Sequence, residues 1–249
     1  MIRSRIALAV ALTAVALPLH AQTLTINNIT PTWSNIQPGN VTNLQVDNSG
    51  SVVGLSWGNP TTQSGQSAFR FNDRATSFNV TLSSGLGRFV LGDFVHENNP
   101  ITGNFLSSAR LNVTVGINGT SPTSFSNTFL INHEETPNGG PCPYGTAALN
   151  ANGCADRVTF GGALTANAFT YNSQQYFITL LGFSSSSSSF QGTGEFLSKE
   201  QSSNKAYLWA EISTRNPNVV PEPSTYALMA TGLAGLMGVA RRRRATAAK

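Results

Sequence analysis

Apolar residues in the middle of this chain recur at every second position, and this alternation limits the possible folds more than any other feature. Leu111, Val113, Val115 and Ile117 alternate with polar or small residues. Because successive side chains of a strand point to opposite faces, the pattern predicts half-buried β-strands. It recurs with apolar residues at positions 53, 55 and 57, at 78, 80 and 82, and at 206, 208, 210 and 212. The sequence therefore predicts an all-β fold.

Clusters of turn-forming residues separate these segments, at Asn48-Ser49-Gly50, Ser83-Ser84-Gly85, Asn118-Gly119 and Asn152-Gly153. Such clusters between alternating segments predict β-hairpins. With 40% hydrophobic residues the chain can bury one sizeable core. We predict one antiparallel β-sandwich, jelly-roll-like in its strand order, over residues 22–215, with a flexible serine loop at residues 184–189.

The basic charge of the chain is confined to its two ends. The isoelectric point is about 9.4, which by itself would favour binding to nucleic acid. Seven of the 15 basic residues, however, lie in the first 21 or the last 34 residues, and the body between them carries eight basic and ten acidic residues. A nearly neutral body has no basic patch for phosphates, so we predict no nucleic-acid partner.

The first 21 residues have the layout of a secretory signal peptide. Arg3 and Arg5 provide the positive start, residues 6–17 are apolar, and Ala21 supplies a small residue for cleavage. Twelve apolar residues are too few to span a bilayer core of ~30 Å at ~1.5 Å per helical residue. This segment predicts export through the secretion machinery and removal by signal peptidase.

The C-terminus has the layout of a short membrane anchor, after a linker and motif that begin at residue 216. Residues 225–240 contain no charge and would reach roughly 24 Å as a helix, which is marginal for a membrane span. Residues 241–244 are all arginine, and the positive-inside rule places such a cluster in the cytoplasm. We predict a short transmembrane helix with the body of the protein outside.

The end of the chain combines a short motif with a basic cluster, in these residues: Val220, Pro221, Glu222, Pro223, Arg241, Arg242, Arg243 and Arg244. With the apolar segment between them, they resemble a known sorting signal, the PEP-CTERM signal of Gram-negative bacteria. It implies recognition by an exosortase-type membrane protease and transient anchoring in the inner membrane. It also implies a final location at the cell surface or in the extracellular matrix, where exopolysaccharide is a possible partner.

Four segments of the body carry a second likeness, at residues 55–58, 65–67, 89–101 and 132–138. They resemble the THxN family, whose members carry a choice-of-anchor K domain. His96 and Asn98 match the motif in the family name, whereas Val95 stands where that motif has threonine. The resemblance implies no catalytic activity.

Cys142 and Cys154 are the two cysteines of the chain. They lie in a segment rich in glycine, proline and asparagine, in a protein predicted to enter an oxidising compartment. We therefore predict that they form one disulfide.

Two segments share the pattern H-E-x-x-P, beginning at His96 and at His133. The prolines at the fifth positions exclude the helical zinc-protease motif, which needs a second histidine there. We favour strand-end turns whose histidines bond to local backbone and do not meet. The alternative is a metal site drawn from these six residues: Asp93, His96, Glu97, His133, Glu134 and Glu135.

The sequence therefore predicts an exported, non-enzymatic protein of the cell surface or extracellular matrix, with no cofactor. One alternative is a carbohydrate-binding module, in which Tyr207 and Trp209 would stack on sugar rings if their face of the strand is exposed. A second alternative is a metal-dependent hydrolase built on the two histidine motifs.

Overall fold

The computed structural model describes residues 21–74, 77–161, 166–192 and 194–215. The predicted signal peptide, apart from Ala21, lies outside these ranges, and so do the linker, the sorting motif, the membrane segment and the arginine cluster. No helix within the described ranges is long and apolar enough to cross a membrane.

The described residues form sixteen β-strands. They are β1 (Gln22–Gln37), β2 (Gln45–Asp47), β3 (Val52–Trp57), β4 (Asn59–Pro60), β5 (Ser67–Asp73), β6 (Phe78–Leu82), β7 (Leu86–Asn98), β8 (Ile101–Thr102), β9 (Ser108–Ile117), β10 (Thr120–Ser121), β11 (Ser124–Glu134), β12 (Asp156–Gly161), β13 (Asn167–Tyr171), β14 (Gln174–Ser184), β15 (Glu195–Ser198) and β16 (Ser202–Ser213).

The strands assemble into two large sheets and one small pair. The six-stranded sheet has the order β15-β12-β11-β9-β1-β6, and the eight-stranded sheet has the order β10-β13-β14-β16-β7-β5-β3-β2. Strands β4 and β8 pair with each other. Neighbouring strands are antiparallel throughout the described sheets, for example β7 with β16. The predicted all-β, antiparallel fold is confirmed.

The alternating residues of the sequence form the core, as predicted. Leu111, Val113, Val115 and Ile117 of β9 are fully buried, and so are Val53 and Trp57 of β3. Because β9 belongs to the six-stranded sheet and β3 to the eight-stranded sheet, both sheets contribute to the same hydrophobic cluster. Each large apolar side chain buried in this way stabilises the fold by roughly 1.5–3 kcal/mol.

Two of the four turn clusters join strands that pair as hairpins. Asn48-Ser49-Gly50 connects β2 to β3, and Asn118-Gly119 begins the connection from β9 to β11. Asn152-Gly153 lies instead in the segment before β12. Ser83-Ser84-Gly85 forms a tight turn, closed by mutual backbone hydrogen bonds between Ser83 and Leu86.

That turn does not produce the predicted hairpin, because β6 belongs to the six-stranded sheet and β7 to the eight-stranded sheet. At the crossing, a Cβ on Gly87 would lie 2.6 Å from Leu82 Cδ2 and 2.8 Å from Val80 Cγ1. The missing side chain of Gly87 therefore lets β7 pass close over β6. Turn residues specify the reversal of the chain, but they do not specify whether the flanking strands stay in one sheet.

The structure places the sulfur atoms of Cys142 and Cys154 at bonding distance, with the two Cα atoms 5.0 Å apart. Cys154 is buried and lies two residues before β12, so the predicted disulfide closes a loop within the connection from β11 to β12.

We predict that reducing this disulfide lowers the melting temperature without abolishing the fold. A crosslink that closes a loop of about a dozen residues contributes roughly 3 kcal/mol, or roughly 6–12 °C for a domain of this size. Circular dichroism melts of the exported protein with and without dithiothreitol measure the change. A Cys142→Ala/Cys154→Ala variant is the control and should be insensitive to reductant. Free thiols on the native exported protein would contradict the pairing.

Candidate functional site

The two histidines of the H-E-x-x-P segments meet inside the core. His96 lies near the end of β7 in the eight-stranded sheet, and His133 lies near the end of β11 in the six-stranded sheet. Both side chains are buried, and their ring centroids are 5.1 Å apart with the ring planes perpendicular. The expectation that they bond only to local backbone and do not meet is therefore wrong. Both occupy inward positions of their strands, and the facing of the two sheets brings them together.

Asp156 is the third member of this group. It is the first residue of β12, the strand that pairs with β11, and it is fully buried. Its Oδ2 lies 3.3 Å from His133 Nε2. One ring nitrogen of each histidine and one carboxyl oxygen of Asp156 all lie within 4.8 Å of one another. The sequence reasoning did not include Asp156, although its alternation with the buried Val158 marks it as an inward position.

The hydrogen bonds of His133 fix which of its nitrogens carries a proton. Nδ1 lies 2.8 Å from the carbonyl oxygen of Leu106, which can only accept, so Nδ1 is the donor. In the neutral ring Nε2 then holds a lone pair and faces an oxygen of Asp156. The other oxygen, Oδ1, accepts from the Thr136 amide at 2.8 Å. A proton or a cation is therefore needed between His133 Nε2 and Asp156 Oδ2.

His96 has one nitrogen with a partner and one without. Nδ1 lies 2.5 Å from Ser198 Oγ, whereas Nε2 is buried and has no hydrogen-bond partner among the described residues. The ring packs against Phe69, edge to face at 4.8 Å, and against Trp57 at 5.9 Å. Burial lowers the pKa of His96 well below its usual value, and His133 lowers it further. His96 is therefore neutral at physiological pH.

His96 and Asn98, two residues apart on β7, both contact Ser198 of β15. The Asn98 side-chain amide donates to the Ser198 carbonyl at 3.1 Å, beside the contact between His96 and the Ser198 hydroxyl. All three residues are fully buried. Since β7 and β15 belong to different sheets, the two side chains tie the sheets together across the core.

We predict that Asn98→Ala destabilises the protein by about 1–3 kcal/mol. The substitution leaves the buried carbonyl of Ser198 without its donor, and an unsatisfied buried group costs about that much. Urea unfolding followed by tryptophan fluorescence measures the difference. Asn79→Ala, at an exposed position of β6, is the matched control and should change the free energy of unfolding by less than about 0.5 kcal/mol. Equal effects of the two substitutions would contradict the role of Asn98.

Two further carboxyl groups lie close enough to Asp156 to interact with it electrostatically. Burial, then Asp156 and Glu200, raise the pKa of Glu135 to about 9. Burial, then Asp156, raises the pKa of Glu200 to about 7. Neither carboxyl oxygen of Glu200 makes a hydrogen bond of normal geometry to a described residue, although the Asn138 side chain lies beside it. The sequence reasoning included Glu135 and missed Glu200, which precedes β16 in a turn.

We predict that the stabilising contribution of Glu135 and Glu200 to the metal-free protein falls as the pH rises from about 5 to 8. A carboxyl group whose pKa is higher in the folded than in the unfolded state stabilises the fold at low pH. Its contribution is complete below the unfolded pKa, near 4.5, and is lost as the pH rises to the folded pKa. For Glu200 the loss falls between pH 4.5 and about 7, and for Glu135 it continues to about 9.

The test compares Glu200→Gln with wild type by urea unfolding in EDTA at several pH values. His96, whose pKa is lowered by burial, reduces the stability of both proteins equally below pH 6.5. Its contribution therefore cancels in the difference between their free energies of unfolding. We expect the stability of the variant to fall less than that of wild type between pH 5 and 8. Parallel curves for the two proteins would refute this assignment.

The other predicted ligand candidates lie away from the histidine pair, at the surface. Each carboxylate is held in an ion pair: Asp93 with Lys205 at 2.7 Å, Glu97 with Arg70 at 3.0 Å, and Glu134 with Arg157 at 3.6 Å. The structure therefore brings together His96 and His133 from the predicted set, places Glu135 close enough to Asp156 to interact with it, and leaves these three outside.

Tyr207 and Trp209 do not form the exposed pair that a sugar-binding face requires. They share the outer face of β16, as predicted, but Trp209 is only 5% exposed. Its indole N–H donates to the carbonyl of Ser186 at 3.0 Å, and its ring lies 6.2 Å from that of Phe190. The serine loop thus folds back over Trp209. Sequence alternation identifies the face of a strand, but it does not show which loop covers that face.

Comparison with known families identifies the C-terminal motif. The PEP-CTERM protein-sorting motif matches residues 219–244, which include every residue of the predicted sorting signal. A search of curated proteins finds none that matches this chain. The chain therefore carries a PEP-CTERM sorting motif, and the resemblance of its body to the THxN family stays a prediction.

Proposed function

We propose that this chain is an exported, non-enzymatic protein of the cell surface or exopolysaccharide matrix of a Gram-negative bacterium. In this proposal the signal peptide delivers the chain across the inner membrane and the C-terminal segment anchors it there transiently. An exosortase then processes the tail. The observation that carries the proposal is the PEP-CTERM motif at residues 219–244.

The chemistry of the tail fits such processing. Pro221 and Pro223 lack amide protons, and each also disfavours helical backbone at the residue before it. The sequence around Glu222 therefore favours extended backbone, the form in which a protease binds its substrate. The four arginines at residues 241–244 hold the other end of the segment at the cytoplasmic surface.

In this proposal the body of the chain is a stable extracellular domain. Two antiparallel sheets around one core support a β-sandwich, jelly-roll-like in form, over residues 22–215. Within the described residues the large apolar side chains exposed to solvent are Val46, Val52 and Leu86. Three such side chains do not make a membrane-binding surface, so retention in the membrane depends on the tail.

The burial of the polar cluster supports a non-enzymatic role. His96 and Asp156 are fully buried and His133 is 4% exposed, so a substrate has no path to their reactive atoms in this conformation. The hydrolase alternative needs an open cleft at these residues. The sugar-binding alternative lacks its exposed tryptophan.

We predict that deleting Val220–Lys249 releases soluble, folded protein from the membrane fraction. The deletion removes the apolar segment that holds the mature chain, while the body keeps its core. Cell fractionation with immunoblotting measures the distribution, and circular dichroism of the released protein checks its fold. Truncated protein that remains in the membrane fraction would show that another part of the chain provides the anchor.

A matched variant separates anchoring from processing. The triple substitution Pro221→Ala/Glu222→Ala/Pro223→Ala keeps the apolar segment and the arginines but alters the motif. We expect this variant to accumulate in the membrane at the mass of the unprocessed chain. If it is processed and released like wild type, the motif does not direct exosortase processing.

A further inference from the structure

The group formed by His96, His133 and Asp156 is a polar cluster in an otherwise apolar core. His96 Nε2 has no hydrogen-bond partner among the described residues, and His133 Nε2 lies 3.3 Å from Asp156 Oδ2, a contact that needs a proton or a cation between the two atoms. Trp57 and Phe69 pack against both imidazole rings and restrict their orientation. An unpaired buried polar atom costs free energy, so a native core usually supplies it with a partner.

We propose that His96, His133 and Asp156 bind one transition-metal dication of the zinc class. The ligand atoms are His96 Nε2, His133 Nε2 and a carboxyl oxygen of Asp156. Two imidazoles and a carboxylate are ligands that zinc and its neighbours in the first transition row accept. One ring nitrogen of each histidine and one carboxyl oxygen of Asp156 lie within 4.8 Å of one another, close enough for a single ion to draw the three side chains together.

The second nitrogen of each histidine already has the partner that a metal-bound imidazole needs. A ligating histidine usually donates its other N–H to a carbonyl, a carboxylate or another acceptor, which fixes the ring. His133 Nδ1 donates to the Leu106 carbonyl, and Nδ1 of His96 lies 2.5 Å from the Ser198 hydroxyl oxygen. These contacts leave Nε2 of both rings as the atoms free to bind a cation.

The carboxyl group of Asp156 also favours a cation, because it lies beside both imidazole rings. A dication bound there would be attracted to this carboxylate. It would also supply the positive charge that the pair of His133 Nε2 and Asp156 Oδ2 requires.

The burial of the group indicates a structural role for this metal. His96 belongs to β7 of the eight-stranded sheet, whereas His133 and Asp156 belong to β11 and β12 of the six-stranded sheet. One ion with these ligands would crosslink the two sheets through the core. Because a metal that binds only the folded state adds its binding energy to folding, the ion would stabilise the domain. This inference is independent of the sorting tail.

The test begins with the wild-type full-length chain in detergent. The protein is unfolded with guanidinium and EDTA, freed of chelator, and refolded with or without zinc, so that the buried site can load. We expect one zinc per chain by plasma mass spectrometry after desalting. We also expect a melting temperature about 5–11 °C higher than that of the metal-free protein at a hundredfold excess over Kd. Refolding with cobalt should give visible absorption bands of nitrogen- and oxygen-ligated Co²⁺.

Substitutions then locate the ion. Asp156→Asn keeps the shape of the side chain, and His96→Gln keeps a polar side chain; each should abolish stoichiometric zinc and the cobalt bands. Asp93→Asn, in a surface ion pair, is the matched control and should bind zinc like wild type. Absence of stoichiometric zinc from refolded wild type overturns the proposal, whether or not the variants fold. So does zinc binding that persists in folded Asp156→Asn protein.

Discussion

The interior shared by the two sheets is the constraint on which the rest of the structure depends. Each strand contributes one apolar face, so every inward position must be apolar or must bring a polar group whose partner is also inside. Most inward positions are apolar, such as the fully buried Leu111 and Val113 of β9. Some of the polar exceptions gather at the ends of β7, β11, β12 and β15, among them His96, His133, Asp156 and Ser198. That grouping is what allows buried polar atoms to find one another.

Sequence reasoning identified the strands well because alternation depends on burial alone, and burial acts on each strand separately. The pairing of strands depends on interactions between distant segments, which a local pattern does not encode. The turn at Ser84 and Gly85 shows the difference: its local geometry is that of a tight turn, yet β6 and β7 enter different sheets. In the same way, alternation placed Trp209 on an outer face, and only the folding back of the serine loop buries it.

The polar group could be predicted only in part, for the same reason. The repeated H-E-x-x-P pattern identified His96 and His133 as candidates. Whether the two strand ends meet depends on how the sheets face each other. Asp156 could have been found from its alternation with Val158, as an acidic residue at an inward position. Ser198 and Glu200 carry no comparable signal, since they lie at a strand end and in a turn and become buried only through tertiary packing.

The segment between β11 and β12 connects this polar group to the disulfide. The Thr136 amide donates to Asp156 Oδ1, and the Thr136 hydroxyl lies 2.8 Å from the Ala155 carbonyl. The Cys154 amide donates to the Asn138 side chain at 2.8 Å. The disulfide at Cys154 therefore restrains the same few residues that carry Asp156 into the core. The hydrogen bonds of Thr136 and Asn138 thus link the disulfide to the carboxylate of Asp156 through a few residues on either side of Ala155.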